Sequence, residues 1–305
     1  MKKIIFIMIF LISACSTNTK KKTVGEFSNS AEIEKEFKNI ENSDFAPVKQ
    51  VPYKYDDDFF AGKVDKTDSL VKESIAKVPS PKLSAVTSNT KDRLGQIVSL
   101  CYQKRFDESK KIREALYSKF VKNPAFWNQT GTCYLLKGDY RKAILYYNKA
   151  RDLNSKFTPP LNNLGVIYQN EGQDQKAFIA YQKALRSNSF SLTPLFNIAQ
   201  LYLKYGFVDK AKRYFKSLYD RNPKDSDVLN ALGVIEYLSK NNSGALSYFN
   251  LINSRDRRRA DIAANYALAL YDSGRPDDAK DYIEYAQRGL PDRYVNVIKQ
   301  YVGMR

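Results

Sequence analysis

Residues 161–184 of this chain read LNNLGVIYQNEGQDQKAFIAYQKA. In this stretch Gly165 stands twelve residues before Ala177, and Tyr181 stands four residues after it. The alanine belongs to a column of five, each 34 residues from the next: Ala143, Ala177, Ala211, Ala245 and Ala279. Self-similarity at a fixed period of roughly 20–50 residues is the signature of a repeat protein. This interval decides the fold before any local motif does.

Other positions keep the same register and predict how each repeat packs. Small residues come twelve positions before each alanine: Gly131, Gly165, Ala199, Gly233 and Ala267. Bulky residues come four positions after it: Tyr147, Tyr181, Phe215, Phe249 and Ile283. The predicted turn between two helices falls at Gly138, Gly172, Gly206 and Gly274, with Lys240 as the exception. Small residues let helices approach closely, and a residue four positions from an alanine shares its helix face. We therefore predict that these columns form the core and the turns.

The columns match the pattern W-x2-L-G-x2-Y…A-x3-F…P in part. Its remaining members are Trp127, Tyr134, Tyr168, Tyr202, Pro223 and Pro291. The chain therefore resembles the tetratricopeptide repeat (TPR) family over residues 90–293. This resemblance implies an all-α fold, a right-handed TPR superhelix (α-solenoid) of five clear repeats and one degenerate repeat.

The two ends of the repeat array are predicted to be atypical, as terminal repeats usually are. The degenerate repeat covers residues 90–123, with helices near 91–103 and 106–120. In it Ile97, Ser109 and Arg113 replace the small, alanine and bulky residues. A closing helix is predicted over residues 294–305. Its shared face would carry Tyr294, Val297, Ile298 and Tyr301.

The first fourteen residues have the pattern of a secretory signal peptide. Lys2 and Lys3 precede an apolar run at residues 4–12, which is too short to span a bilayer permanently. Residues 12–15 read ISAC and resemble a bacterial lipobox, which implies cleavage before Cys15 and lipidation of that cysteine. Ser16 is not the aspartate of an inner-membrane retention signal, so we expect an outer-membrane protein that faces the periplasm. The alternative is an ordinary signal peptide with an incidental cysteine.

Residues 15–89 differ from the repeats and predict a flexible tether with two short amphipathic helices. Four prolines interrupt this stretch, and polar residues separate its short apolar patches. A flexible coil of this length spans roughly 50 Å. Within it, residues 53–60 read YKYDDDFF and mix aromatic with acidic side chains. This segment could fold back on the basic repeats or bind a partner.

Charge is concentrated in the repeats. The chain carries a net +17, and residues 91–305 hold 36 Lys and Arg against 21 Asp and Glu. Such a surface attracts acidic proteins, anionic lipid or cell-wall polymer. Nucleic acid is a poor candidate for an exported protein without a nucleic-acid-binding module. The densest basic patch is Arg255, Arg257, Arg258 and Arg259, which is either a binding patch or a solvated loop.

The residue inventory argues against catalysis, and we predict no catalytic residue, no metal site and no cofactor. The chain has no histidine, which removes Ser-His-Asp triads, Cys-His pairs and histidine-based zinc sites. It also lacks the glycine-rich phosphate-binding motifs. Beyond Cys15, only Cys101 and Cys133 remain. Both fall on first helices of neighbouring repeats, and we expect two buried thiols rather than a bridge, because spacing alone does not align their Cβ atoms.

One polar pattern marks the concave groove that the resemblance implies. Two adjacent positions of the first helices are rich in asparagine: Asn128, Asn162, Asn163, Asn197, Asn230 and Asn265. Amides can bond the backbone of an extended peptide, as in the asparagine ladders of peptide-binding TPR proteins. Alternatively, they bond neighbouring helices. The cationic carboxylate clamp of chaperone-binding TPRs is not matched, because Ala125, Pro159 and Thr193 occupy its places.

These features predict a non-catalytic scaffold or assembly factor for an envelope machine, whose partners are envelope proteins. A lipidated cysteine with about six repeats resembles the pilotins of the type IV pilus secretin, and TPR lipoproteins of gliding-motility complexes resemble it almost as well. A second class is an adaptor that recruits a protease or a peptidoglycan hydrolase. A third class is a binder of cell-wall polymer or anionic lipid through the basic surface.

Overall fold

A computed structural model describes residues 87–89, 92–187 and 192–304. Within these ranges the chain forms fourteen α-helices and no strand, which confirms the all-α prediction. None of these helices has both the length and the apolarity needed to cross a bilayer. The predicted signal peptide, Cys15, the two tether helices and the acidic segment 53–60 lie outside the described residues.

The helices follow one another as antiparallel hairpins. Those of the degenerate repeat are α1 (Arg93–Tyr102) and α2 (Phe106–Phe120). The five clear repeats contain α3 (Pro124–Leu136) with α4 (Tyr140–Leu153), α5 (Pro159–Asn170) with α6 (Asp174–Ser187), α7 (Leu192–Lys204) with α8 (Val208–Arg221), α9 (Ser226–Leu238) with α10 (Asn242–Leu251), and α12 (Ala260–Asp272) with α13 (Pro276–Gln287). The short α11 (Ser254–Arg257) precedes the last pair, and α14 (Asp292–Tyr301) follows it. The chain divides into two compact units between Pro194 and Leu195.

The predicted columns form the core. All five alanines of the repeat column are fully buried, and the bulky residues four positions later are at most 1% exposed. The small column is needed for close approach, because a Cβ on Gly165 would lie 2.5 Å from Cε1 of Tyr181. Such a distance is far below a normal carbon–carbon contact of about 3.5–4.0 Å.

The turn column adopts left-handed backbone in every described hairpin. Its four glycines have φ between 76° and 82°. Lys240 takes the same conformation with φ 60°, and Lys104 takes it with φ 61°. Lys104 stands 34 residues before Gly138, so the turn geometry extends the repeat into the degenerate unit. Both lysines therefore adopt a left-handed backbone conformation that glycine adopts without a steric cost.

The two atypical ends differ in how well the sequence predicted them. In the degenerate repeat Ile97 and Ser109 are fully buried, and the Ser109 hydroxyl donates to the Ile97 carbonyl at 3.0 Å. The closing helix α14 is present, but only Ile298 of the predicted apolar face is buried. The helix buries Val295 and Ile298, and Val302 just after it is also buried, whereas Val297 is 41% exposed and Tyr301 is 37% exposed. The Tyr301 hydroxyl reaches both carboxylate oxygens of Asp272 at 3.0 Å, so this ring lies at the edge of the interface.

The expectation of two free buried thiols is wrong, because Cys101 and Cys133 form a disulfide. Helices α1 and α3 pack side by side, and the two Cα atoms lie 5.2 Å apart, within the range a disulfide needs. Both cysteines are at most 2% exposed. The bridge therefore joins the first helices of the degenerate repeat and the first clear repeat.

Candidate functional site

The first and second helices of each hairpin are buried to different extents. All nine residues 159–167 of α5 are buried, and α9 is buried almost as fully. In the second helices only a stripe is buried, such as Ala143, Tyr147 and Ala150 in α4. The first helices therefore form the interior of each unit. Most of the accessible side chains belong to second helices and connecting loops.

The six predicted groove asparagines lie on these first helices and have little exposure. Asn162 and Asn197 are fully buried, Asn163 is 2% exposed, and Asn128 and Asn230 are 6% and 7% exposed. Asn265 alone is partly exposed.

Several of these amides bond each other between neighbouring repeats. The Asn163 side-chain amide donates to Oδ1 of Asn128 at 3.1 Å, and Asn265 donates to Asn230 at the same distance. Each bond joins residues 35 positions apart. Within one helix, Asn162 donates to Oδ1 of Asn163 at 3.3 Å. These contacts give the asparagines a role in joining repeats. Peptide binding by them remains a prediction.

The predicted basic patch divides into arginines with different roles. Arg259 binds Asp227 and Asp261, with a nitrogen–oxygen distance of 2.8 Å to each. Burial alone lowers the pKa of Arg259, but these two carboxylates raise it above its ordinary value. This arginine thus serves the packing of α9 against α12. The other three remain near the surface, and Arg257 lies 5.8 Å from the centroid of the Tyr266 ring.

A second surface appears at the start of the array, and we call Tyr117, Trp127, Tyr146 and Tyr134 the aromatic row. Tyr117 packs edge-on to Trp127 with ring centroids 6.0 Å apart. Trp127 stacks on Tyr146 at 5.7 Å, and Tyr146 stacks on Tyr134 at 5.2 Å. Tyr117 is 52% exposed, and the other three rings are partly exposed. Helices α2, α3 and α4 thus present one continuous set of rings.

Two cations flank the aromatic row. The Arg113 guanidinium carbon lies 5.3 Å from the Tyr134 ring centroid, and the Lys142 ammonium lies 5.4 Å from it. Burial and the neighbouring Tyr134 raise the pKa of Tyr146. Leu145, on the same helix as Tyr146, is 63% exposed. Tryptophan, tyrosine and arginine are the residue types enriched at the energetic centres of protein interfaces.

The aromatic row was not predicted as a unit, although the sequence contains one signal of it. A tyrosine stands one position before the bulky column in four repeats: Tyr146, Tyr214, Tyr248 and Tyr282. Tyr117, whose ring comes from the degenerate repeat, recurs at its repeat position only as Tyr219. The row forms only because α2, α3 and α4 pack together, and a pattern along the sequence does not show this packing.

The comparisons with known proteins bear on the whole array. The family model described as tetratricopeptide repeat matches residues 67–290. No curated protein sequence matches the chain. A solved structure from the functional characterization of Pseudomonas aeruginosa PilF has a TM-score of 0.58 at 13% identity. That match covers 73% of this chain and 99% of the other.

Two further solved structures are similar in fold. PilW, described as a widely conserved type IV pilus biogenesis factor, has a TM-score of 0.54 at 16% identity, over 69% of this chain and 96% of PilW. The APC/C hetero-tetramer Cut9–Hcn1 has a TM-score of 0.55 at 21% identity, over 67% of this chain. The present chain spans only 40% of that longer protein. At these identities the likeness concerns the fold alone.

Proposed function

Because the chain belongs to the tetratricopeptide repeat family, we propose that it is a non-catalytic scaffold for an envelope machine, anchored in the outer membrane through Cys15. The observation that carries this proposal is the aromatic row. It is a partly exposed set of rings flanked by Arg113 and Lys142 on a fold that offers rigid helix faces. This surface suits a protein partner, because rigid aromatic side chains bury a large area at little entropic cost.

The disulfide supports the part of the proposal that concerns location. Structural disulfides persist mainly in oxidising compartments such as the bacterial periplasm. Cys101 and Cys133 are bridged in the interior, which agrees with a chain that is exported by the signal at residues 1–14. Lipidation of Cys15 would then hold the protein to the membrane.

The leading candidate machine is a type IV pilus assembly, and a gliding-motility complex is the second. The support is architectural: a predicted lipid anchor is followed by repeats whose fold is similar to PilF and to PilW. A protein-binding fold near the outer membrane suits a factor that brings subunits together. An adaptor for a protease or a cell-wall hydrolase would use the same surface and differ in its partner.

The test is affinity purification of the chain from envelope extract at low and high salt, with mass spectrometry. We expect one dominant partner that survives high salt. Tyr117→Ser should lower the affinity for this partner, and with it the recovery, by about tenfold, because loss of one interface aromatic costs about 1.4 kcal/mol. Leu251→Ser is the matched control, since Leu251 is 58% exposed on α10 and lies outside the row. Equal recovery with both variants would contradict the role of the row.

The identity of the partner and its location distinguish the remaining alternatives. A pilus or motility subunit supports the assembly factor, whereas a protease or hydrolase supports the adaptor. Cys15→Ser should release the protein from the membrane fraction, and retention of this variant would contradict the anchor. If Asn163→Ala with Asn197→Ala leaves partner affinity unchanged in a folded protein, the asparagine groove is not the binding site.

One observation favours a second candidate, binding to anionic lipid or cell-wall polymer. Helix α8 exposes the two basic side chains of Arg213 and Lys216. Such binding depends on screened charge and should disappear at high salt. Sedimentation with cell wall or anionic vesicles at two salt concentrations would separate it from the scaffold function.

A further inference from the structure

An open depression of about 380 Å³ lies at the end of the last hairpin in the second unit, between the start of α12 and the end of α13. Its lining consists of Arg258, Ala260, Tyr285, Arg288 and Gly289, and we call it the arginine pocket. Arg258 follows α11, while Tyr285 and Arg288 lie at the end of α13. The volume is near the lower end of ligand pockets, which run from roughly 300 to 1,000 Å³. It therefore suits a short segment or one side chain rather than a folded surface.

Both arginines of the pocket lie against the same ring. The guanidinium carbon of Arg258 is 5.4 Å from the Tyr285 ring centroid, and that of Arg288 is 5.1 Å from it. An aromatic ring holds a guanidinium through its face, which leaves the N–H groups at the edge available to donate. The two positive groups thus flank one aromatic platform.

Neither arginine of the pocket has an anionic partner within the described residues, although acids are near in sequence. Glu284 stands one helical turn before Arg288, but no ion pair joins them. Arg259, the neighbour of Arg258, contacts two aspartates instead. Two like charges around one ring repel each other, and an anion placed between them would relieve this repulsion.

We propose that the arginine pocket binds a carboxylate of an acidic segment in a protein partner. A carboxylate has two oxygens that accept paired N–H bonds from a guanidinium edge, and charge-assisted bonds of this kind are the stronger ones. The inference rests on the proposed function, because it names the chemistry of the partner that the scaffold would hold. The carboxylate belongs to an acidic side chain or to a chain terminus.

The surroundings of the pocket favour a protein segment over an anionic membrane. Helix α13 exposes Asp281 and Glu284 in addition to Asp277 and Asp278, which pair with Lys280 and Arg275. A flat anionic bilayer would meet these carboxylates along with the two arginines and would be repelled. A narrow peptide can enter the pocket without covering the acidic helix.

The experiment measures binding of labelled peptides to the full chain by fluorescence anisotropy. One probe contains three glutamates between glycines and is blocked at both ends, and a second has glutamine in place of glutamate. A third contains the glutamines but ends in a free carboxylate. Vesicles of phosphatidylglycerol and phosphatidylcholine form the fourth arm. The variants are Arg258→Gln, Arg288→Gln and Arg288→Lys, and circular dichroism confirms that each remains helical.

Arg255→Gln is the matched control. It removes the same charge three residues from Arg258, and Arg255 lies outside the pocket on exposed α11. We expect the glutamate probe to bind and the blocked glutamine probe not to bind. Arg258→Gln and Arg288→Gln should each weaken binding about tenfold, whereas Arg255→Gln changes it less than about twofold. Arg288→Lys should also weaken binding, because an ammonium lacks the planar fork.

The outcomes assign the source or overturn the inference. Binding of the free-carboxylate probe alone, lost with either glutamine variant, assigns the pocket to a chain terminus. Binding of vesicles but of no peptide overturns the proposal, and so does peptide binding that Arg255→Gln weakens as much as Arg288→Gln. A captured envelope partner without peptide binding would overturn this inference alone. Peptide binding without any captured partner would overturn the proposed function alone.

Discussion

The disulfide between Cys101 and Cys133 gives the sharpest quantitative prediction for this protein. It closes a loop with a sequence separation of 32 residues that contains α2 and its two turns. In the chain-entropy model a loop of this length stabilises the folded state by about 3.7 kcal/mol, because the bridge restricts the unfolded chain. Loss of the bridge should therefore lower the free energy of unfolding by nearly that amount.

The assay is equilibrium unfolding in guanidinium chloride, followed by circular dichroism, for oxidised and reduced protein. Both cysteines are at most 2% exposed, so reduction needs prior unfolding, followed by refolding in the presence of dithiothreitol. The reduced protein keeps both sulfur atoms, so its loss of stability reports the link alone. Cys101→Ala with Cys133→Ala should lose somewhat more, because the variant also loses buried side-chain atoms. Amide hydrogen exchange should show the loss of protection in α1–α3.

Two results would refute this reasoning. If oxidised and reduced proteins unfold within about 1 kcal/mol of each other, either the bridge does not form or the unfolded chain is already restricted in this loop. If the reduced protein loses protection equally in α12 and α13, the bridge does not act through its own loop.

Three further substitutions test the packing, the turns and the charges. Gly165→Ala should destabilise by about 1–3 kcal/mol despite the better helix propensity of alanine, because its Cβ would collide with Tyr181, and increased stability in denaturant would contradict this. Lys240→Gly should stabilise by about 0.5–1 kcal/mol by relieving the left-handed backbone, and a lowered denaturation midpoint would count against it. Burial alone raises the pKa of Glu236, but the bonds that it accepts from Lys212 and Asn241 lower this pKa below the ordinary 4.5. The ionised Glu236 therefore stabilises the fold above about pH 4.5, and this stabilisation is lost as the pH falls through the folded-state pKa. Glu236→Gln should therefore flatten the acid side of the stability profile, and an unchanged profile would show that the pair contributes nothing.

The repeat columns could be predicted from sequence because each one records a single packing requirement that recurs. Gly165 and Tyr181 recur together since a ring needs a gap on the facing helix. Gly172 recurs because the turn requires left-handed backbone, and Lys240 shows that the geometry persists where the residue type does not. Pattern and structure agree here because both helices of a hairpin are close in sequence.

Contacts between repeats were harder to predict, because they depend on how one hairpin is rotated against the next. The bond from Asn163 to Asn128 joins two different columns, 35 residues apart rather than 34. The sequence displays each column separately and gives no sign of this offset. The disulfide could not be predicted for a similar reason, since the spacing of Cys101 and Cys133 in the sequence does not reveal the direction of either Cβ atom. The face of α14 was assigned wrongly because tyrosines at its edge resemble core residues in a linear pattern.

The 34-residue period helps to distinguish residues that pack one repeat on the next from residues that recognise a partner. A residue type that returns every 34 positions has the same task in each repeat, and the task common to all repeats is to pack on a neighbour. A specific partner needs side chains that one repeat has and the others lack. Tyr285 meets this condition, because Leu251, Ser217 and Lys183 occupy the equivalent positions in the three preceding repeats. In the aromatic row Trp127 meets it, since leucine stands at its position in the next three repeats. The period-breaking residues are therefore where the specificity of this chain should lie.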